Sequence, residues 1–159
     1  MVRSPTRPGG RLGTAAATVA TALLVLGACG PSGTRATTVE DAWGDLQPDD
    51  WGDVIYETRY GSGGMSSDPP THEAVFATTG SPPAALDDAA GAVTAAGYAL
   101  VGTGCAPNAA CRFEHRGDAG LVTVRLSLVP AHTSTEVHGQ HVTVGDDGPA
   151  LRVAVLAGH

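Results

Sequence analysis

Four residues within ten positions could do metal chemistry: His132, Glu136, His138 and His141. Imidazole and carboxylate side chains together suit zinc or copper. If Glu136 to His138 is a strand, those two side chains share a face, and His141 can fold back through Gly139. The competing reading is a polar loop, because Thr133, Ser134 and Thr135 surround the group and no H-E-x-x-H spacing occurs. The loop reading weighs more, so no metal and no cofactor is assigned. Metal binding by these four residues stands as an alternative.

The other chemistry-bearing residues are weaker candidates. Asp49, Asp50 and Asp53 lack the D-x-D-x-D-G order of a calcium loop and read as a solvated turn after Pro48. Trp43 and Trp51 could stack on envelope glycans, but isolated tryptophans more often anchor a core. Glu57 and Glu73 could serve as acid and base, although nothing in the sequence brings them together. There is no G-x-S-x-G elbow, Gly61-Ser62-Gly63-Gly64 lacks a strand-turn-helix context, and no phosphate-binding glycine loop precedes a helix. The expectation is a protein that is not an enzyme, with a small envelope hydrolase of unrecognised site as the alternative.

The elements that must position these residues suggest an α+β domain. Thr37 and Glu40 have capping-box spacing at the start of a short acidic segment. Trp51, Val54 and Ile55 fit helical spacing, while Ile55, Tyr56 and Thr58 fit a strand, so residues 39–60 remain open between the two. Residues 61–70 read as a loop. Glu73 to Thr78 suits a short strand. Ser81 and Pro82 then start a helix whose apolar face is Leu86, Ala89, Ala90 and Val93. Gly97 suits its left-handed end, with Tyr98 reaching back to Val93 as in a Schellman stop. Tyr98 to Val101 follows as a strand. Arg112 to His115 and Leu121 to Val129 flank a turn at 116–120, and Val122, Val124, Leu126 and Leu128 share one buried face. A second hairpin is expected at 145–149, pairing Val142 to Val144 with Leu151 to Leu156. The expected architecture is one main helix on an antiparallel sheet of about four to five strands, preceded by a short helical or irregular acidic segment.

The first 28 residues have a different character. Met1 to Arg11 carries Arg3, Arg7 and Arg11 and no acid, Leu12 to Leu26 is apolar or small, and small residues lead into Cys29. That is the order of a secretory signal. A membrane span needs about 20 predominantly apolar residues, and this run is shorter and diluted by Gly13, Thr14, Thr18 and Thr21. Leu26-Gly27-Ala28-Cys29 resembles the lipobox of bacterial lipoproteins: an aliphatic residue, two small ones, then cysteine. The resemblance covers these four residues and their preceding context. It implies cleavage between Ala28 and Cys29 and a diacylglyceryl group on the Cys29 sulfur. Two acyl chains anchor stably where one binds only marginally, at roughly 0.8 kcal/mol per buried methylene. The expected location is the cell membrane, lipid-anchored on the extracytoplasmic face. The expected organisation is a signal peptide at 1–28, the lipidated cysteine and a flexible tether at 29–38, and one domain at 39–159. A tether of about nine residues reaches roughly 15–18 Å.

With Cys29 consumed, Cys105 and Cys111 remain as a pair, and export to an oxidising space favours a disulfide between them. So short a loop contributes only about 2–2.5 kcal/mol. Charge excludes other partners. The whole chain has 9 basic and 16 acidic residues; three arginines and no acid precede Cys29, so the remainder carries six against sixteen, a formal charge of −10. All basic residues are arginine, and they form no run along the chain. This argues against nucleic acid and against electrostatic docking on anionic lipid. The favoured function is a membrane-anchored, non-catalytic binding or accessory module, with the lipid on Cys29 as its membrane contact and an envelope protein or glycan as possible partner.

Overall fold

The computed structural model describes residues 31–61, 68–78, 80–118 and 120–158; residues 1–28, Cys29 and Gly30 lie outside them. Helix α1 (Pro31–Asp45) leads through a single 3₁₀ turn (Pro48–Trp51) into strands β1 (Asp53–Tyr60) and β2 (Thr71–Ala77). Helix α2 (Pro82–Ala95), β3 (Ala99–Val101), β4 (Cys111–Gly117) and β5 (Gly120–Val129) follow. A short hairpin of β6 (Ser134–Val137) and β7 (Gln140–Thr143) precedes β8 (Ala150–Ala157). The main sheet has six antiparallel strands in the order β1-β2-β8-β5-β4-β3, and β6 and β7 form a second sheet.

Both helices pack on one face of the main sheet. Val39, Ala42 and Leu46, at helical spacing, bring α1 down, while Leu86, Ala89 and Val93 bring down α2. They meet Ala74, Phe76, Phe113, Val124, Leu126, Val153 and Val155, the inward half of each alternating strand. The opposite face is covered only at one end. There Val137, Val142 and Val144 of the β6–β7 segment close over Val75, Val129 and Ala150. On the rest of that face Arg112, Arg116 and Arg125 are exposed, while Thr71, Glu73 and Thr123 are buried.

The α+β class holds, and the sheet is larger than the sequence suggests. The helix start at Ser81-Pro82 is as expected, although the Ser81 side chain makes no capping bond; its carbonyl accepts from Ala85 N at 3.2 Å. The helix ends in the expected Schellman pattern. Tyr98 N donates to Val93 O at 3.2 Å, Gly97 N donates to Thr94 O at 3.0 Å, and Gly97 has φ 91°. The structure joins Cys105 and Cys111 in a disulfide that ties the β3–β4 connection to the first residue of β4.

Three expectations are corrected, and the segment left open between helix and strand is decided. The segment read as a tether is helical from Pro31 onward, so Thr37 lies inside α1 rather than capping it. Proline at the first helical position costs no hydrogen bond, and the burial of Val39, Ala42 and Leu46 holds the helix despite weak local propensity. Residues 53–60 are strand rather than a continuation of helix, with Trp51 left in the 3₁₀ turn. The turn at 116–120 is tighter, because Gly117 already pairs with Gly120. Lastly, 142–144 does not pair with β8. Val142 and Val144 serve as a lid, and β8 enters between β2 and β5, pairing along its length with both. It is pinned at one end by Thr78, whose N and Oγ1 donate to Pro149 O at 3.3 and 2.7 Å. At the other, Ala157 N donates to Pro70 O at 3.0 Å.

Candidate functional site

Strand β2 begins Thr71-His72-Glu73, and all three polar residues are buried. The strand is flanked by β1 and β8, and successive side chains alternate between faces. His72 therefore enters the helix side and Glu73 the open side. Two polar clusters lie back to back across one strand.

On the helix side, His72 is fully buried and its ring stacks on Trp43 of α1, centroids 3.8 Å apart and planes 18° from parallel. Its Nε2 lies 2.6 Å from Glu57 Oε1 on β1. Its Nδ1 has no hydrogen-bond partner, and the nearest charged atom is Glu40 Oε1 at 3.6 Å. Arg59 spans the two carboxylates at the rim, 3.3 Å from Glu57 and 3.4 Å from Glu40. Burial pushes the His72 imidazole below the ordinary histidine value, outweighing the hydrogen bond to Glu57 that favours the charged form. The neutral ring then donates from Nε2 to Glu57, and that bond holds the Glu57 carboxyl below its usual range. The second ring nitrogen faces Glu40 across 3.6 Å.

On the open side, Glu73 is 2 % exposed. Arg152 Nε on β8 donates to its Oε1 at 2.5 Å, and Tyr60 OH on β1 donates to Oε2 at 3.1 Å. Arg152 Nη1 also donates to Thr135 Oγ1 of the hairpin at 3.1 Å. His138 stacks on the Tyr60 ring at 3.8 Å and 9°. Burial, then the Glu73 charge, push the Tyr60 phenol above its ordinary value. Beside this cluster lies a concavity of about 250 Å³, bordered by Tyr60, Glu73, Arg125, Ser127, Arg152 and Leu156.

The same face gathers charge that the linear sequence scatters. Cys111 and Phe113 of β4 point to the helices, so Arg112, Glu114 and Arg116 take the open face. Arg125 of β5 stands directly opposite Arg112, and its other neighbour is Ala154. Across β2, β4, β5 and β8 this face carries four arginines against the two carboxylates Glu73 and Glu114, a net of two positive charges on an otherwise acidic protein. Arg112 is hydrogen-bonded to Glu114 and Arg152 to Glu73. Arg125 and Arg116 have no partner among the described residues.

The chain matches no protein-family model, no curated protein and no solved structure.

The residues singled out by sequence fall as follows. Glu57 and Glu73 sit on neighbouring strands but on opposite faces, Glu57 level with Ala74, so they cannot share a substrate. His132, with φ 59°, lies 2.9 Å from Asp146 and is exposed. Glu136 and His141 are cross-strand partners in the hairpin, while His138, at its turn, packs on Tyr60. Among the described residues no three His, Cys, Asp or Glu side chains converge as a metal site. Asp49 and Asp50 lie in the 3₁₀ turn and Asp53 opens β1. Trp43 and Trp51 are half-buried against the core, Trp51 meeting Phe76 edge-on at 6.0 Å. Ser62, Gly63 and Gly64, like the Leu26–Cys29 lipobox, lie outside the described residues. Sequence reasoning missed His72, Arg59, Tyr60, Arg125 and Arg152. The available signal was the polar triplet opening an apolar strand, and an arginine on the wet face of each of two strongly alternating strands, β5 and β8.

Proposed function

We propose that this chain is a lipid-anchored, extracytoplasmic, non-catalytic binding module, held to the cell membrane through diacylglyceryl-Cys29. One observation carries the binding reading. Both oxygens of Glu73 are engaged, by Arg152 and Tyr60, so the open concavity beside it presents fixed donors and no free base. Such a site can hold a ligand, and among the described residues that border it the one carboxylate, Glu73, is already committed to Arg152 and Tyr60. The anchor reading rests on the lipobox resemblance. It is supported by the Cys105–Cys111 disulfide, which accounts for two of the three cysteines and leaves Cys29 outside that pair. Among the described residues no helix is long and apolar enough to cross a membrane. Because α1 starts at Pro31, only Gly30 lies between Cys29 and the helix.

The test expresses the full chain in a bacterial host with lipoprotein processing, followed by fractionation and intact mass measurement. The wild type should partition with membranes and carry a diacylglyceryl mass on an amino-terminal Cys29, while Cys29→Ala should lose that mass and no longer be processed as a lipoprotein. An unmodified Cys29 behind a retained residues 1–28 would overturn the anchor. Pull-down from solubilised membranes with the lipidated protein tests the binding role. Specific recovery of an envelope component supports it, and recovery of none removes the support for an accessory role.

A further inference from the structure

The strand pairing puts an unpaired arginine where a wet sheet face has no structural use for one. Arg125 stands directly opposite Arg112, and like charges so placed are destabilising. Arg112 is answered by Glu114, while Arg125 is answered by nothing among the described residues. One diagonal step away, at about 7–8 Å between backbones, is Arg152. Its guanidinium is held side-on by Glu73 and Thr135, which leaves Nη2 without an assigned acceptor. Between them lies Ser127, half-buried, whose hydroxyl has no partner among the described residues. Three donor groups thus converge on one concavity, and the only carboxylate there is already saturated.

We propose that this concavity binds a small organic carboxylate, with the Arg125 guanidinium as its bidentate partner, the Ser127 hydroxyl as a further donor, and Arg152 fixed behind as a positive wall. The inference rests on reading the domain as a binding module, though not on its anchor. Guanidinium presents a planar fork that matches a carboxylate. Phosphate would need more donors than one free fork and one hydroxyl supply. The remaining wall is apolar, formed by Ala110, Ala154 and Leu156 with the Tyr60 ring, and suits a hydrocarbon body. The volume of about 250 Å³ has room for a short-chain acid. The protein is acidic as a whole, and this face carries a local excess of arginine.

The experiment is isothermal titration of the full-length protein in detergent at low salt. The probes are butyrate, succinate and inorganic phosphate. Variants Arg125→Gln, Arg125→Lys, Ser127→Ala and Arg116→Gln are compared with the wild type. Arg125 and Arg116 are exposed, and unchanged urea midpoints will show that the variants fold. A carboxylate should bind saturably at one site and more tightly than phosphate. Arg125→Gln should weaken it about tenfold or more, and Arg125→Lys should rescue only part because the fork is lost. Ser127→Ala should weaken it several-fold, and Arg116→Gln should leave it unchanged. Three results would each overturn the proposal: no saturable carboxylate binding, tighter binding of phosphate, or an equal loss in Arg116→Gln, which would signify diffuse attraction. If carboxylates fail while the lipidated protein still captures an envelope component, this ligand class is wrong and the binding-module reading survives.

Discussion

Replacing Arg152 with Met removes the guanidinium whose Nε lies 2.5 Å from Glu73 Oε1, while keeping the volume of the side-chain stem. Glu73 is 2 % exposed, so its charge would keep only the Tyr60 hydroxyl, at 3.1 Å. Breaking a buried pair by removing one partner costs about 3–5 kcal/mol, because a charge is left uncompensated. Arg152 is itself 32 % exposed, so water already screens its outer edge and the lower end applies, about 3 kcal/mol. With an unfolding entropy of about 2.1 cal/mol/K per residue and a domain of about 120 residues, that corresponds to a drop of about 12 °C in Tm. Glu73→Gln should cost less, about 1–2 kcal/mol, since the amide can still meet Tyr60 and Arg152 can turn to solvent.

The decisive variant is the double one, Glu73→Leu with Arg152→Met. An apolar pair of similar size removes both desolvation costs and should lie within about 1 kcal/mol of the wild type. The assay is urea unfolding, read by the fluorescence of Trp43 and Trp51 and by far-UV circular dichroism, with unchanged m values as the check that the same transition is compared. A double-mutant cycle closed with the Glu73→Leu single should then give a coupling of at least about 1.5 kcal/mol. If Arg152→Met lies within about 0.5 kcal/mol of the wild type, or the double variant shows the summed losses of the singles, Glu73 is not held as a buried, paired carboxylate. The donors that border the concavity would then lose their fixed frame.

Acidification should destabilise the domain. Burial holds His72 below its ordinary value of 6.5, so just below pH 6.5 the unfolded chain takes up a proton that the native ring does not. Its contribution is complete above about pH 6.5 and falls as the pH drops, by at most about 1.4 kcal/mol per unit. Glu57, held down by the His72 hydrogen bond, adds a further loss below about pH 4.5. Urea midpoints between pH 7.5 and 5 should fall for the wild type and flatten for His72→Gln, and a flat wild-type profile contradicts the assignment. Gly52→Ala should destabilise by about 1–3 kcal/mol, because φ is 135° and a Cβ would strike the Ala77 carbonyl. Gly139→Asn, at φ 76° with open space around it, should be nearly neutral. Equal losses at the two glycines would show that backbone strain alone, and not the close approach to β2, sets the cost at Gly52.

Local signals made parts of this fold legible. Helix α2 could be read because its start, its apolar face and its Gly97 stop all lie within seventeen residues. Strand β5 could be read because Val122 to Leu128 alternates strictly. The partner of β8 could not be read in the same way. The turn-like residues 145–149 suggest a hairpin with the preceding strand, yet β7 offers four residues and β8 needs pairing along eight. Long-range burial decides that contest, and it places the last strand at the centre of the sheet. Helix α1 was hidden for a similar reason, since Gly33 and Ser32 resemble a tether until Val39, Ala42 and Leu46 are seen to pack.

The site was less legible than the fold, because faces are set by register. Glu57 and Glu73 are sixteen residues apart, and whether they face each other depends on how β1 pairs with β2. The pairing aligns Glu57 with Ala74 and carries an irregularity between Val54 and Tyr56. A slip of one residue would have moved Glu57 to the open face beside Glu73 and made a carboxylate pair. The actual register instead sends Glu57 to His72 and leaves Tyr60 for Glu73. The arginines follow the same rule. Arg112, Arg125 and Arg152 are separated by thirteen and twenty-seven positions, so an inspection along the chain finds no basic cluster. The β4–β5 hairpin closes the first interval by setting Arg112 opposite Arg125, and the insertion of β8 beside β5 closes the second by bringing Arg152 opposite Ser127. The arginine-rich face is thus a property of strand order, and Arg152 belongs to it because β8 pairs with β5 rather than with β7.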